Sequence, residues 1–291
     1  MSATCSRIIV WDVGHGSSVS ILTPNGKTAM IDLGANTDTG FSPVRFTKTI
    51  WSPSSLDYLI LSHPHVDHIR DIVNLEPEGF LPRVLRARNI PREKLIREDV
   101  NEDDRKALET YLALKSRYSG SVDDSSDPGS SSWGAGAYFS NYSVDADWET
   151  EPNNTSIVTF FKLGGFTFVY PGDIESRGWS ELLQKDDFVR DLKTTAFFVA
   201  SHHGREAGFL QEVMDIAKPQ LVIVSDSEYK DTSVTSRYSN QASGFRVTDE
   251  NSDITESRKV VSTRSDGRVM IDACYDGNQT TAIVKLKRSS G

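Results

Sequence analysis

The 291-residue chain has two cysteines, Cys5 and Cys274, too few for a disulfide framework or a thiolate metal site. Lying at opposite ends, they read as two ordinary semi-buried thiols of a protein kept in a reducing compartment. Long apolar runs are also lacking. None approaches the ~18 residues a membrane span needs, and Arg7 is reached without the apolar stretch of a signal peptide. The expectation is a soluble, cytoplasmic chain that meets no membrane. Positive charge is in deficit: 32 Lys and Arg stand against 41 Asp and Glu, a formal net charge of −9. That excludes a surface coated with nucleic-acid-binding charge, so an anionic substrate must be held locally.

What is present suffices for a sizeable core, with 37% apolar residues, five Trp and thirteen Phe. Short β-branched and aromatic runs between turn signals predict strands over 7–13, 18–22, 28–33 and 56–61, then over 156–163, 166–171, 195–200 and 220–225. A last set covers 259–263, 268–273 and 281–287, with Asp266-Gly267 read as a hairpin turn. Apolar spacing predicts helices over 66–75, 103–118 and 207–217, and one ending near 184. Strands and helices in both halves, with no Pro- or Gly-rich linker, predict an α/β fold and one domain over 1–291. Two charged stretches stand out. Arg83 to Arg97 carries six basic residues and one acidic, whereas Glu98 to Glu151 carries thirteen acidic and four basic, an excess equal to the net charge of the whole chain. The second is read as an insertion, roughly 98–151. Its part 119–150, polar with scattered aromatics, suits a long surface loop serving as a lid or as a surface for a regulatory protein partner.

The six histidines are His15, His63, His65, His68, His202 and His203. Ser62-His63-Pro64-His65-Val66-Asp67-His68 follows a strand, and Pro64 blocks early helix formation. Two apart in extended chain, His63 and His65 point the same way. Asp67 and His68, past the turn, point into a neighbouring space. Ser201-His202-His203-Gly204 ends another strand, and Asp173 follows a third. Two adjacent groups of nitrogen and oxygen donors are what a two-metal site needs; imidazole without thiolate favours zinc, manganese or iron over magnesium or calcium.

His-x-His-x-Asp-His after a hydrophobic strand resembles the signature of the metallo-β-lactamase fold, an αββα sandwich of metallohydrolases. The resemblance continues in order. It makes Asp32, in Met30-Ile31-Asp32-Leu33-Gly34, a support of the metal-binding loop, Asp173 the carboxylate bridging two metals, and His203 a ligand. It leaves His202 to contact substrate or shuttle protons. No histidine stands between residues 69 and 201, where most of the family has another ligand. Asn153 and Asn154 occur there instead, placed to orient substrate or backbone. With Trp11-Asp12-Val13-Gly14-His15-Gly16 and Val261-Ser262-Thr263, these features resemble a subgroup holding the hydrolase domain of bacterial competence DNA-uptake channel proteins and phosphorylcholine esterases. That subgroup usually has glutamine at the place of His15, here a candidate general acid or substrate contact.

The resemblance implies two divalent ions, zinc with manganese as the alternative. His63, His65 and Asp173 are assigned to one, and Asp67, His68, His203 and Asp173 to the other. A hydroxide between the ions is the expected nucleophile, which makes Asp67, His202 and His15 the residues nearest the chemistry. The expected activity is that of a metal-dependent hydrolase, a phosphodiesterase or nuclease acting on DNA or other nucleic acid. The basic stretch offers Arg86 and Arg88 as substrate contacts, and the aromatic loop offers Trp133. Hydrolysis of a small phosphoester or other ester is one alternative. A partner-gated metal-binding effector module is the other.

Overall fold

The computed structural model describes residues 4–98, 100–226 and 234–288. Residues 227–233 lie outside the described residues. The first five strands are β1 (Thr4–Val10), β2 (Ser18–Leu22), β3 (Thr28–Leu33), β4 (Leu56–Ile60) and β5 (Pro82–Arg86). They are followed by β6 (Ala137–Tyr142), β7 (Val158–Leu163), β8 (Phe166–Tyr170), β9 (Phe197–Val199) and β10 (Leu221–Val224). The chain closes with β11 (Phe245–Asp249), β12 (Thr255–Arg258), β13 (Val260–Ser262), β14 (Arg268–Tyr275) and β15 (Thr280–Lys287). One sheet of nine strands runs β12-β11-β15-β14-β1-β2-β3-β4-β5, and a second of six runs β13-β10-β9-β8-β7-β6.

Between the sheets lies the largest apolar cluster, which includes Ile8, Ile31 and Ile60 from one and Phe161, Phe168 and Phe197 from the other. Helices cover both outer faces. On the nine-stranded sheet lie α1 (Pro43–Trp51), the one-turn α2 (Val66–Ile69), α3 (Arg92–Leu95) and α4 (Glu102–Arg117), closing a cluster around Leu59, Ile72 and Tyr111. On the other lie α5 (Ser176–Leu182), α6 (Asp186–Leu192), α7 (Gln211–Ala217) and α8 (Thr235–Gln241), packed over Phe160, Phe198 and Trp179; a last turn, α9 (Thr263–Asp266), precedes β14. The layers are therefore α, β, β, α, the expected sandwich. Strands β7 and β8 are apolar along nearly their whole length because each has a covered face on both sides. The start of α1, absent from the sequence reading, carries ordinary signals: Ser42 accepts the Arg45 amide and Pro43 opens the first turn.

Several expectations are corrected. Cys5 and Cys274 are register partners of the β1–β14 pair, their Cα atoms 4.0 Å apart, and they form a disulfide. A separation of 269 residues conceals that the first strand and the next-to-last are neighbours in one sheet. The inference of a reducing compartment from free thiols loses its ground with them. Residues 119–150 are not all surface loop: β6 pairs with β7, and Trp133, Ala137 and Phe139 belong to the central core. Asp266-Gly267 is not a hairpin, because β13 and β14 lie in different sheets with α9 between them. Among the described residues no helix is long and apolar enough to cross a membrane.

Phe168 is fully buried between the sheets. Replacing it by Ala removes a ring that the surroundings cannot refill, so Phe168→Ala is expected to lower unfolding free energy by roughly 3–5 kcal/mol. Urea titration followed by tryptophan fluorescence measures this, and a loss under about 1 kcal/mol would show that the sheets do not pack there.

Candidate metal centre

The chemistry-bearing residues converge at one end of the sandwich, beyond the carboxyl ends of β3, β4, β8, β9 and β10. Asp32, the next-to-last residue of β3, is left-handed (φ 55°) and fully buried. Its carboxylate accepts four hydrogen bonds, from the Ser62 amide (2.6 Å), the Ser62 hydroxyl (2.6 Å), the Tyr170 hydroxyl (2.6 Å) and His68 Nδ1 (2.7 Å). Ser62 has one hydroxyl proton and gives it to Asp32, so the same oxygen accepts from His63 Nδ1 at 3.1 Å. On the other side, His203 Nδ1 donates to the Ser225 carbonyl at 2.9 Å. In all three rings the outer nitrogen donates and Nε2 is turned inward, as metal-ligating histidines require.

The inward atoms form two groups. His63, His65 and Asp173 offer donors within 4.8 Å of one another, and so do Asp67, His68, Asp173 and His203. Asp173, nearly buried, belongs to both: its carboxylate lies 3.1 Å from His68 Nε2, 3.5 Å from His203 Nε2 and 3.9 Å from His63 Nε2. Glycines permit the approach. A Cβ on Gly16 would stand 2.3 Å from the Asp67 carbonyl, and one on Gly34 would stand 2.6 Å from it. His202 and His203 both adopt positive φ, 52° and 55°, a costly conformation for non-glycine residues and one common at functional sites. That turn is tied to the Asp173 loop by His202 N on the Gly172 carbonyl and by Ser201 Oγ on the Ile174 carbonyl.

Electrostatics agree with cation binding. Burial, reinforced by the neighbouring His68 and His65, holds His63 well below the usual imidazole range, and burial lowers His65, so both are neutral, with His65 Nδ1 donating to His63 Nε2 at 2.9 Å. Burial alone would raise the Asp173 and Asp67 carboxyls, but His68 and His203 hold both below the carboxylate range. Against the burial that would lower them, the same carboxylates hold His68 well above its usual range and His203 at about 10. Their Nε2 atoms lie 3.2 Å apart, and each gives its proton to a carboxylate, His68 to Asp173 at 3.1 Å and His203 to Asp67 at 3.2 Å. Ionised carboxylates and inward nitrogens whose protons a cation would displace fit two divalent ions.

The remaining candidates separate. His15 Nε2 lies 3.4 Å from an Asp67 oxygen and its ring 5.0 Å from that of His203, at the edge of the donor set. His202 is outside both groups. Its Nε2 faces Arg205 Nη1 at 3.1 Å, and its Nδ1 faces Glu175 Oε1 at 3.2 Å. Asn153 donates to Glu175 at 2.8 Å. Asn154 is nearly buried and accepts from the Glu175 and Gly178 amides, so it orders the backbone after Asp173. Trp133 is a core residue beneath Lys27 and is corrected as a substrate contact. Arg88 donates to the Val144 carbonyl and Arg86 is exposed at the end of β5. Neither touches the donor groups. The aromatic at the site is Trp148, its ring 5.0 Å from that of His65. Sequence reasoning missed this and Glu175; the signals were a Trp in an otherwise polar run and a carboxylate two residues past Asp173.

The chain belongs to the metallo-β-lactamase superfamily, whose model matches residues 12–185. Its class is that of the superfamily's metal-dependent hydrolases. A curated relative, ComE operon protein 3 of Bacillus subtilis (strain 168), is 24% identical over 229 residues, 74% of this chain and 27% of its own length. The chain thus spans about a quarter of that relative. Among solved structures, a diphosphatase from the PhnP family aligns over 94% of this chain and 100% of its own, with 13% identity and a TM-score of 0.47. A long form RNase Z from yeast aligns over 78% and 38%, with 14% identity and a TM-score of 0.39.

Two outcomes follow. Asp32→Asn places an NH2 where four donors converge and unsettles the tautomers of His68 and His63, so zinc affinity is expected to fall roughly 10–100-fold; a competition titration with a chromogenic chelator reads it, and unchanged affinity contradicts the role given to Asp32. The second concerns pH. A histidine pKa raised in the folded chain contributes stability that is present below about pH 6.5 and lost as pH rises toward 10. Metal-stripped protein should therefore lose stability from pH 7 to 10, and cation binding near pH 7 should release protons. Calorimetry in buffers of different ionisation enthalpy detects the release, and its absence would refute the protonated state of His68 and His203.

Proposed function

We propose that the protein is a phosphodiesterase or nuclease acting on nucleic acid, with two zinc ions and manganese as a working substitute. One observation carries the reading: two donor groups share the single carboxylate of Asp173. Such a pair matches in-line displacement at phosphorus, where attacking and leaving oxygens both need charge neutralised. The sequence resemblance to competence DNA-uptake hydrolase domains supports nucleic acid over other esters. His63 and His65 would hold the first ion and Asp67, His68 and His203 the second, with Asp173 a member of both donor groups. When bound, the ions supply a nucleophile at neutral pH and neutralise developing negative charge.

The chain's own groups do the rest. Glu175 lies 3.2 Å from His202 Nδ1, while Nε2, 4.0 Å from Asp173, accepts from Arg205 Nη1; the ring, kept neutral by burial, is placed to take up a proton beside the site as a general base. His15, a third exposed and beside Asp67, is the second proton-carrying group at the opening. Trp148 walls the His65 side and restricts water there. That wall also favours one competing reading, a small phosphoester substrate, which comparison of kcat/KM on mononucleotide esters and oligonucleotides separates.

Purified protein loaded with zinc or manganese should hydrolyse bis(p-nitrophenyl) phosphate and cut single- or double-stranded nucleic acid. His65→Ala should abolish both, and His202→Ala should lower kcat by roughly 100-fold or more. If the loaded protein cleaves none of these substrates, or His65→Ala matches the parent, the proposal fails.

A further inference from the structure

Outside the donor set a cleft of about 610 Å³ opens where β1 runs into the 12–16 loop and meets α1 and the ends of β14 and β15. Its floor is aromatic. The Trp11 ring lies 5.6 Å from Phe41 and 5.2 Å from Phe46, which are 5.6 Å from each other. Trp11 is anchored by its indole N–H on Ser20 Oγ, whereas Phe46 is 36% exposed. The rim is cationic. Lys287 and Arg288 are exposed, and neither forms an ion pair with any described residue. Arg268 gives Nη2 to Glu250 at 3.2 Å, while its buried Nε makes no hydrogen bond. Gly267 builds this placement into the backbone, since a Cβ there would stand 2.1 Å from the Lys287 carbonyl oxygen. Three cations around exposed aromatic surface are notable in a chain of net charge −9.

The cleft does not end there. Asp12 and Asn36 line it and also line a second recess, of about 340 Å³, whose walls include His15 and Arg264. His15 in turn lies 3.4 Å from Asp67 of the metal centre. The acidic groups on this path are Asp12, which accepts the Gly14 amide, the exposed Asp38, and the buried Asp226, which faces Arg264 at 3.5 Å. An aromatic floor with a cationic rim thus adjoins a recess that borders His15, and the two form one track toward the donor groups.

We propose that this track binds single-stranded nucleic acid: bases stack on Phe46 and Phe41, phosphates pair with Arg268, Lys287 and Arg288, and the strand is led past Arg264 and His15 to the metal centre. It gives the phosphodiesterase reading its substrate form and rests on that reading for its purpose. A single strand is favoured over a duplex because stacking needs unpaired base faces.

Fluorescence anisotropy with a labelled single-stranded oligonucleotide of ~12 nucleotides, the full chain and EDTA measures binding without cleavage. Phe46→Ala is expected to weaken affinity about tenfold, and Lys287→Glu with Arg288→Glu at least as much, with a shallower dependence on salt. Thermal unfolding midpoints should stay at the parent value, since all three side chains are exposed. Unchanged affinity in both variants overturns the proposal, as does a duplex of equal length binding as tightly as the single strand. Variant-sensitive binding by a loaded protein that cuts no phosphodiester upholds the track and rejects the hydrolase reading. Cleavage with oligonucleotide KM and affinity unaltered in both variants rejects the track alone.

Discussion

The buried carboxylate of Asp32 is the contact on which the metal centre depends. It meets no candidate ion, yet by accepting from His68 directly and from His63 through Ser62 it decides which nitrogen of each ring faces inward. It also fastens the start of the His63–His68 loop through the Ser62 amide, and draws in Tyr170 from the other sheet. One side chain therefore sets tautomer, loop position and sheet-to-sheet register at the site. A fully buried carboxylate is tolerated only when its lone pairs are satisfied, and four donors satisfy these. The arrangement is consequently cooperative: removing any donor weakens the reason for the others to stay.

Backbone proximity is the second constraint. The loop after β1 and the loop after β3 both press on the Asp67 carbonyl, at distances that admit no side chain on Gly16 or Gly34. Ser225 continues the same contact, donating its hydroxyl to the Gly16 carbonyl while its own carbonyl fixes His203. The left-handed residues Asp32, His202 and His203 lie at strand ends within this packed region. Strained conformations of this kind survive where the surroundings over-determine them. Loops from five strand ends thus act as one rigid unit, which explains how donors from distant parts of the chain meet within a few ångströms.

The donor set was legible because its signal is local. Three histidines and an aspartate within six residues carry their geometry in the spacing, and Asp32, Asp173 and His203 follow strands that the apolar runs mark clearly. What the sequence concealed depends on long-range pairing. Nothing in residues 119–150 distinguishes Trp133, buried in the core, from Trp148, placed on His65. Each is an aromatic in a polar stretch, and only the pairing of β6 with β7 separates them. The Cys5–Cys274 bond is hidden for the same reason, because strand neighbours cannot be counted along the chain. The short β9 and β10 were found since parallel central strands read as continuous apolar runs, whereas β11 and β12, with polar and exposed positions, did not.

The two charge anomalies of the sequence resolve into one feature. Arg92 pairs with Glu109, Lys94 with Asp147 and Glu149, and Arg70 with Asp104. Arg177 fastens Glu151 from the far side. Arg92 and Lys94 of the basic stretch are therefore counter-charges of the acidic insertion, not a cradle for phosphate. Each exposed pair contributes little stability by itself. Lys94 and Arg177 together secure the segment that carries Trp148 and so hold its ring against His65. Part of the insertion's acidity is thereby paired within the chain, and the net charge of −9 gives no measure of the field an anionic substrate meets at the site.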